Sequence, residues 1–166
     1  MSKVILHILI VSILLVSCVE KPNKTENFLN QYDKIKLISY NKHREVYSTN
    51  NKIKIANNTI KIPNIQYIDN IVLNKKNSKK IFNILLSEQK KCSRADCYNP
   101  RHILLFYKKN NIVGFYEFCA ECGGSEQSKN INIPPICSEQ GDELIKVFKE
   151  MNLKNDGEES GNYEYF

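Results

Sequence analysis

The chain lacks an apolar run of membrane-spanning length. A spanning helix needs about 20 consecutive apolar residues, whereas the stretch between Lys3 and Ser17 offers 13 and includes His7 and Ser12. There is no Gly-rich phosphate loop, no His-Glu-x-x-His and no Gly-x-Ser-x-Gly, so the local signatures of P-loop nucleotide hydrolysis, zinc peptidases and serine hydrolases are missing. Histidine is scarce, and His7 lies in a leader where it serves no folded site. Charge is only mildly unbalanced, at +6. The densest basic region, Lys75, Lys76, Lys79, Lys80, Lys90 and Lys91, has no interleaved aromatics and reads as a solvated face, so no nucleic-acid partner is expected.

What is present begins at the N-terminus. Lys3, the apolar run from Val4 to Val16 and the small Ser17 have the three parts of a secretory signal. "LVSC", Leu15 to Cys18, resembles the bacterial lipobox, in which an apolar residue precedes two tolerated positions, a small residue and an obligatory Cys. The resemblance covers the first eighteen residues and implies a bacterial lipoprotein precursor: cleavage before Cys18, diacylglycerol on its thiol and a further acyl chain, palmitate for example, on the freed amine. One acyl chain anchors a protein only marginally and two or more hold it stably. The implied location is the cell envelope, anchored by lipid to a membrane and facing the periplasm or the exterior.

Residues 1–17 are thus read as signal peptide and 18–31 as a flexible tether, since that polar stretch with Pro22 shows neither helical nor strand period. Such a tether reaches roughly 20 Å. Residues 32–154 are expected to form one domain, and 155–166, "NDGEESGNYEYF", an acidic tail. Within the domain, "KIKLISY", "REVYS", "KIKIANNTIKI" and "IQYIDNIVL" have strand character, the third as a hairpin turning at Asn57-Asn58. "NSKKIFNILLSEQKK" changes to a helical period with Asn77 or Ser78 as cap, and "DELIKVFKEM" makes a second helix capped by Asp142, with Leu144, Ile145, Phe148 and Met151 on one stripe. The expected class is α+β, mainly antiparallel sheet with two helices.

The segment from Cys92 to Cys122 carries most of the thiol chemistry. "RHILLFY" and "NIVGFYEFC" form a hairpin around Lys108 to Asn111. With an even loop, His102 shares a face with Glu117 and Cys119, while Cys97 and Cys122 arrive at the same open end. Cys97, His102, Cys119 and Cys122 have the ligand types of a closed zinc site. Exported proteins more often use cysteines in disulfides, and with Cys18 lipidated a zinc set would leave Cys92 and Cys137 as a further pair. Cys119-Ala-Glu-Cys122 also invites a thiol-redox reading, but Gly123-Gly124 breaks the helix such a pair would open, and no βαβ pattern surrounds it.

"CYNPRHILLFY" followed by "FYEFCAEC" is similar to a stretch in uncharacterised lipoproteins of Bacteroidota, which carry Cys-Tyr-x-Pro-Arg, a hairpin and Cys-x-x-Cys. Tyr98, Pro100 and Arg101 match over about thirty residues; the resemblance implies envelope location and clustering of Cys97, Cys119 and Cys122. Two function classes follow. One is a non-catalytic envelope lipoprotein that binds a partner, in the manner of an immunity-type inhibitor of a secreted toxin; it expects no catalytic residue and no cofactor. The other is a thiol or metal enzyme using Cys97, His102, Cys119 and Cys122.

Overall fold

A computed structural model describes residues 23–41, 52–62, 65–88 and 98–155. Helix α1 spans Lys24–Leu29, strand β1 Lys34–Tyr40, β2 Lys54–Ala56, β3 Thr59–Lys61, β4 Tyr67–Val72, helix α2 Lys75–Leu85, β5 His102–Lys108, β6 Asn111–Phe118, β7 Ser125–Gln127 and α3 Ser138–Glu150. The long strands form an antiparallel sheet in the order β4-β1-β5-β6-β7, and β2-β3 is a separate hairpin. The class is α+β, mainly antiparallel. The "REVYS" strand lies outside the described residues.

Both faces of the sheet are covered, which explains the near-continuous apolar run of "HILLFY". On one face Leu37, Leu104, Phe106, Tyr116 and Phe118 pack with Phe28 of α1, Ile81, Phe82 and Leu85 of α2, and Leu144 and Phe148 of α3. On the other, Ile38, Tyr40, Ile103, Leu105 and Tyr107 pack with Ile53, Ile60 and Ile62 of the hairpin segment. Asn57 and Asn58 at the hairpin turn take left-handed backbone, with φ of 49° and 59°, as a two-residue turn between twisted strands requires.

The folded domain begins earlier than the sequence suggests. Residues 23–31, read as tether, contain α1: Asn23 caps it by accepting from the Thr25 N–H at 3.1 Å, and Phe28 stacks at 5.1 Å on Phe82 and edge-on at 5.8 Å on Phe106. A helix of six residues is too short to display a period, but burying one phenylalanine is worth about 1.5–3 kcal/mol and suffices to dock it. At the other end Asn155, assigned to the tail, is buried; residues 156–166 lie outside the described residues.

Two helix starts also differ. Helix α2 is capped by Asn74, whose side chain accepts from the Asn77 N–H at 2.8 Å, not by Asn77 or Ser78. Helix α3 starts at Ser138 with Cys137 as cap residue and the Gln140 side chain reaching back to the Cys137 N–H at 3.1 Å. Gly141 therefore lies inside the first turn instead of before it, because the helix passes so close to Ala120 that no side chain fits there.

Lys79 of α2 pairs with Glu26 of α1, and Lys80 pairs with Glu150 of α3. The hydrogen-bonded Lys79 ammonium holds the Glu26 carboxyl below its ordinary range, and Lys80 does the same to Glu150. Such depressed carboxyls lend stability above the unfolded pKa and lose it as the pH falls through the folded one. Both pairs are solvated, so they orient the helices more than they stabilise them.

Candidate functional site

The β5-β6 hairpin turns through Lys109 and Asn110, both left-handed with φ of 48° and 64°. The loop is even, as the parity argument assumed, but the register slips one residue along: Tyr107 pairs with Ile112, whereas Phe106 pairs with Gly114. Val113 is the extra residue of a bulge, which exchanges the two faces of β6 beyond it. His102 is consequently opposite Phe118, and Glu117 is opposite Ile103. The expectation that His102 shares a face with Glu117 and Cys119 is overturned by this single inserted residue.

His102 is 1% exposed and faces the helices. Its ring lies 5.6 Å from that of Phe118 and 4.9 Å from that of Phe148. Nε2 is 3.1 Å from the Asn155 carbonyl, an acceptor, so Nε2 carries the proton and donates. Around it the Asp69 carboxylate accepts from Ser39 Oγ at 2.5 Å, from the Lys154 N–H at 3.1 Å and from the Asn155 N–H at 3.1 Å. Asn155 Nδ2 donates to the Tyr40 carbonyl at 2.7 Å. These contacts latch the segment after α3 onto β1 and β4.

Across the sheet, Glu117 is fully buried. Tyr40 Oη donates to Glu117 Oε1 at 3.1 Å, and Tyr98 Oη lies 3.2 Å from both Glu117 Oε2 and the Glu117 carbonyl. Arg101 pairs with Glu121 in the turn that follows β6. Tyr98 and Arg101, singled out only by the Cys-Tyr-x-Pro-Arg motif, thus tie the entry of β5 to the exit of β6. Glu117 and Asp69 were missed as partners because their contacts connect residues far apart in sequence.

Cys119 and Cys122 are joined in a disulfide, with Cα atoms 5.6 Å apart. They are 2% and 9% exposed. The Cys122 N–H donates to Cys119 Sγ at 3.2 Å. Gly123 and Gly124, with φ of 69° and 92°, then reverse the chain into β7, a conformation that costs glycine little. The Gly124 N–H donates to the Ile136 carbonyl at 3.0 Å, next to Cys137, which is buried and also disulfide-bonded. Cys18, Cys92 and Cys97 lie outside the described residues.

Among the described residues no group of three or more His, Cys, Asp or Glu side chains is arranged to hold a metal ion. The zinc set proposed for Cys97, His102, Cys119 and Cys122 meets two obstacles here. Zinc binds thiolates, and the sulfurs of Cys119 and Cys122 are bonded to each other; the Nε2 of His102 is engaged by Asn155. A groove of about 450 Å³ runs between α1, the start of β1 and α2, lined by Glu26, Tyr32, Lys75 and Lys79 among others, on elements other than those that carry Cys119, Cys122 and Cys137. No family model, no curated protein and no solved structure matches this chain.

Proposed function

We propose that this chain is a lipid-anchored protein of the bacterial cell envelope whose folded domain is a non-catalytic binding module, such as an immunity-type inhibitor. The Leu15-Val16-Ser17-Cys18 motif supports the anchor. The observation that carries the non-catalytic reading is that His102, Cys119 and Cys122 are each taken up structurally: the histidine in an aromatic layer with its Nε2–H on Asn155, the cysteines in a buried disulfide that closes the β6-β7 turn. Structural cysteines of this kind are inert, whereas catalytic thiols sit in accessible, electropositive places.

Two outcomes test this. The mature protein should partition into detergent and yield an N-terminal peptide bearing diacylglycerol on Cys18, and Cys18→Ala should abolish both; an unlipidated mature N-terminus elsewhere would refute the anchor. After mild reduction, Cys119 and Cys122 should alkylate at least about tenfold more slowly in the folded protein than in denaturant. Rapid alkylation in the folded state, together with turnover of a model disulfide, would favour the second reading. That reading, a thiol-redox enzyme, is supported by the Cys122 N–H on Cys119 Sγ, a contact that would favour a thiolate in the reduced form.

A further inference from the structure

We infer that the groove between α1, the start of β1 and α2 binds a small zwitterion with an apolar body, a free apolar amino acid or a dipeptide of such residues. Nothing in that site depends on lipid at Cys18. At about 450 Å³ the groove has the size of a small-molecule site. Ile35 and Leu73, joined by the Leu73 N–H on the Ile35 carbonyl at 2.9 Å, line it together with Leu29 and supply its apolar part. Asp33 and Lys75 each stand two residues beyond that bonded pair, Asp33 ahead of β1 and Lys75 after β4. A carboxylate and an ammonium thus flank the apolar floor at one end of the sheet.

The other charges of the groove are taken. Glu26 and Lys79 pair with each other, and the Lys34 ammonium lies 4.3 Å over the Tyr107 ring. Among the described residues neither Lys75 nor Asp33 forms an ion pair, and Asp33 Oδ2 accepts the Lys109 N–H at 2.6 Å. Two hydroxyls complete the site. Ser78, one turn after Lys75 on the same face of α2, lines the groove and is 7% exposed; its N–H is on the Asn74 carbonyl at 2.9 Å, while its Oγ makes no hydrogen bond among the described residues. Tyr32 is held by ring contacts of 5.4 Å to Phe28 and 4.7 Å to Phe106, and its hydroxyl is likewise without a partner among the described residues. Buried hydroxyls are as a rule hydrogen-bonded, so one left over on a cavity wall marks the place of a ligand acceptor. The ligand's carboxylate belongs with Ser78 and Lys75 at the first turn of α2, where the helix dipole is positive. Its ammonium belongs on Asp33.

The test titrates L-leucine and leucyl-leucine against the full chain, held in phosphatidylcholine vesicles and read by saturation-transfer NMR, beside isocaproate, which lacks the ammonium, and isoamylammonium, which lacks the carboxylate. The better of the two zwitterions, which fixes the ligand size, should bind with a dissociation constant on the order of 1 mM. Isocaproate and isoamylammonium should bind about tenfold more weakly. Ser78→Ala should weaken the zwitterion about tenfold with the thermal midpoint unchanged or raised, because Oγ serves no protein contact and alanine suits a helix. Asp33→Asn, which keeps an acceptor for the Lys109 N–H, should abolish the preference for the zwitterion over isocaproate while retaining the circular dichroism of the wild type. Equal binding of isocaproate and the zwitterions to the wild type, binding unchanged in Ser78→Ala, or no saturable binding of either zwitterion overturns the site.

Discussion

Gly141→Ala should cost about 4 kcal/mol or more of folding stability, enough to leave a domain of ordinary stability largely unfolded. A Cβ at this position would stand 1.8 Å from the Ala120 carbonyl oxygen and 2.8 Å from its carbon. Both are backbone atoms of the turn that the Cys119–Cys122 disulfide closes, so neither side of the clash yields easily. The sign is the informative part. Gly141 lies in the first turn of α3 with its N–H bonded to the Cys137 carbonyl at 3.0 Å, and alanine is otherwise favoured over glycine in a helix by about 1 kcal/mol. Gly114→Ala supplies the comparison. There the added methyl meets Ile131 Cγ1 at 2.6 Å and Ser128 Oγ at 2.7 Å, which are side-chain atoms able to move, and a cost of about 1–3 kcal/mol is expected. Urea titrations followed by circular dichroism measure both; a neutral or stabilising Gly141→Ala would show that α3 does not approach Ala120 this closely.

Asp69→Ala should cost roughly 3–4 kcal/mol, because one buried hydroxyl and two backbone N–H groups lose a shared acceptor at about 1–3 kcal/mol each, less what water recovers. The donors are Ser39 Oγ and the N–H groups of Lys154 and Asn155. Two of the three belong to the segment after α3, so the loss should include release of that segment. Hydrogen exchange at Lys154 and Asn155 should then approach that of an unstructured chain, and His102 should lose the Asn155 carbonyl as acceptor. Asp69→Asn keeps one acceptor oxygen but turns an amide donor toward other donors, so it should recover only part of the stability. Asn155→Ala, which removes the bond to the Tyr40 carbonyl and keeps both backbone contacts, should cost about 1 kcal/mol. Unchanged exchange at 154 and 155 in Asp69→Ala would rule out the latch.

Strand identity was legible wherever β-branched or aromatic residues recur between turn residues. β1 occupies the stretch expected for it, and Asn57-Asn58 turns the hairpin where the alternation of Lys and Ile places it. Helix α2 was legible from its period, whereas α1 was not: Phe28 is its one large buried side chain, and a single residue carries no periodicity. The last helix was expected to start after Gly141 with Asp142 as cap; it starts at Ser138, and the neighbour that requires glycine at 141, Ala120, is brought there only by the tertiary fold. The site failed on one residue. The parity argument took the tight turn to be even, which it is, but a bulge at Val113 leaves no local signature beyond the following Gly114, and it reversed the face of every later residue of β6. The spacing of Cys119 and Cys122 allowed their bond but left a zinc site and a bridge to Cys97 open as well; the structure joins Cys119 to Cys122. The Asp69 latch joins residues more than eighty positions apart, beyond anything a local pattern encodes.

Strand β1 has a consequence for the order in which the chain acquires structure. It lies between β4 and β5, and its pairing with β5 sets Ile35 opposite Phe106 and Ser39 opposite His102. Each such pair closes a loop of more than sixty residues, an entropy that must be met before the contact returns anything. Sheets dominated by pairings of this kind fold in milliseconds to seconds, far more slowly than helical bundles. The first long strand made is therefore stranded without its central neighbour until the hairpin at 102–118 has been synthesised. On the proposed export through a membrane, that delay would keep the two halves of the sheet apart during passage, and the sheet would close only once its middle strand had arrived on the far side.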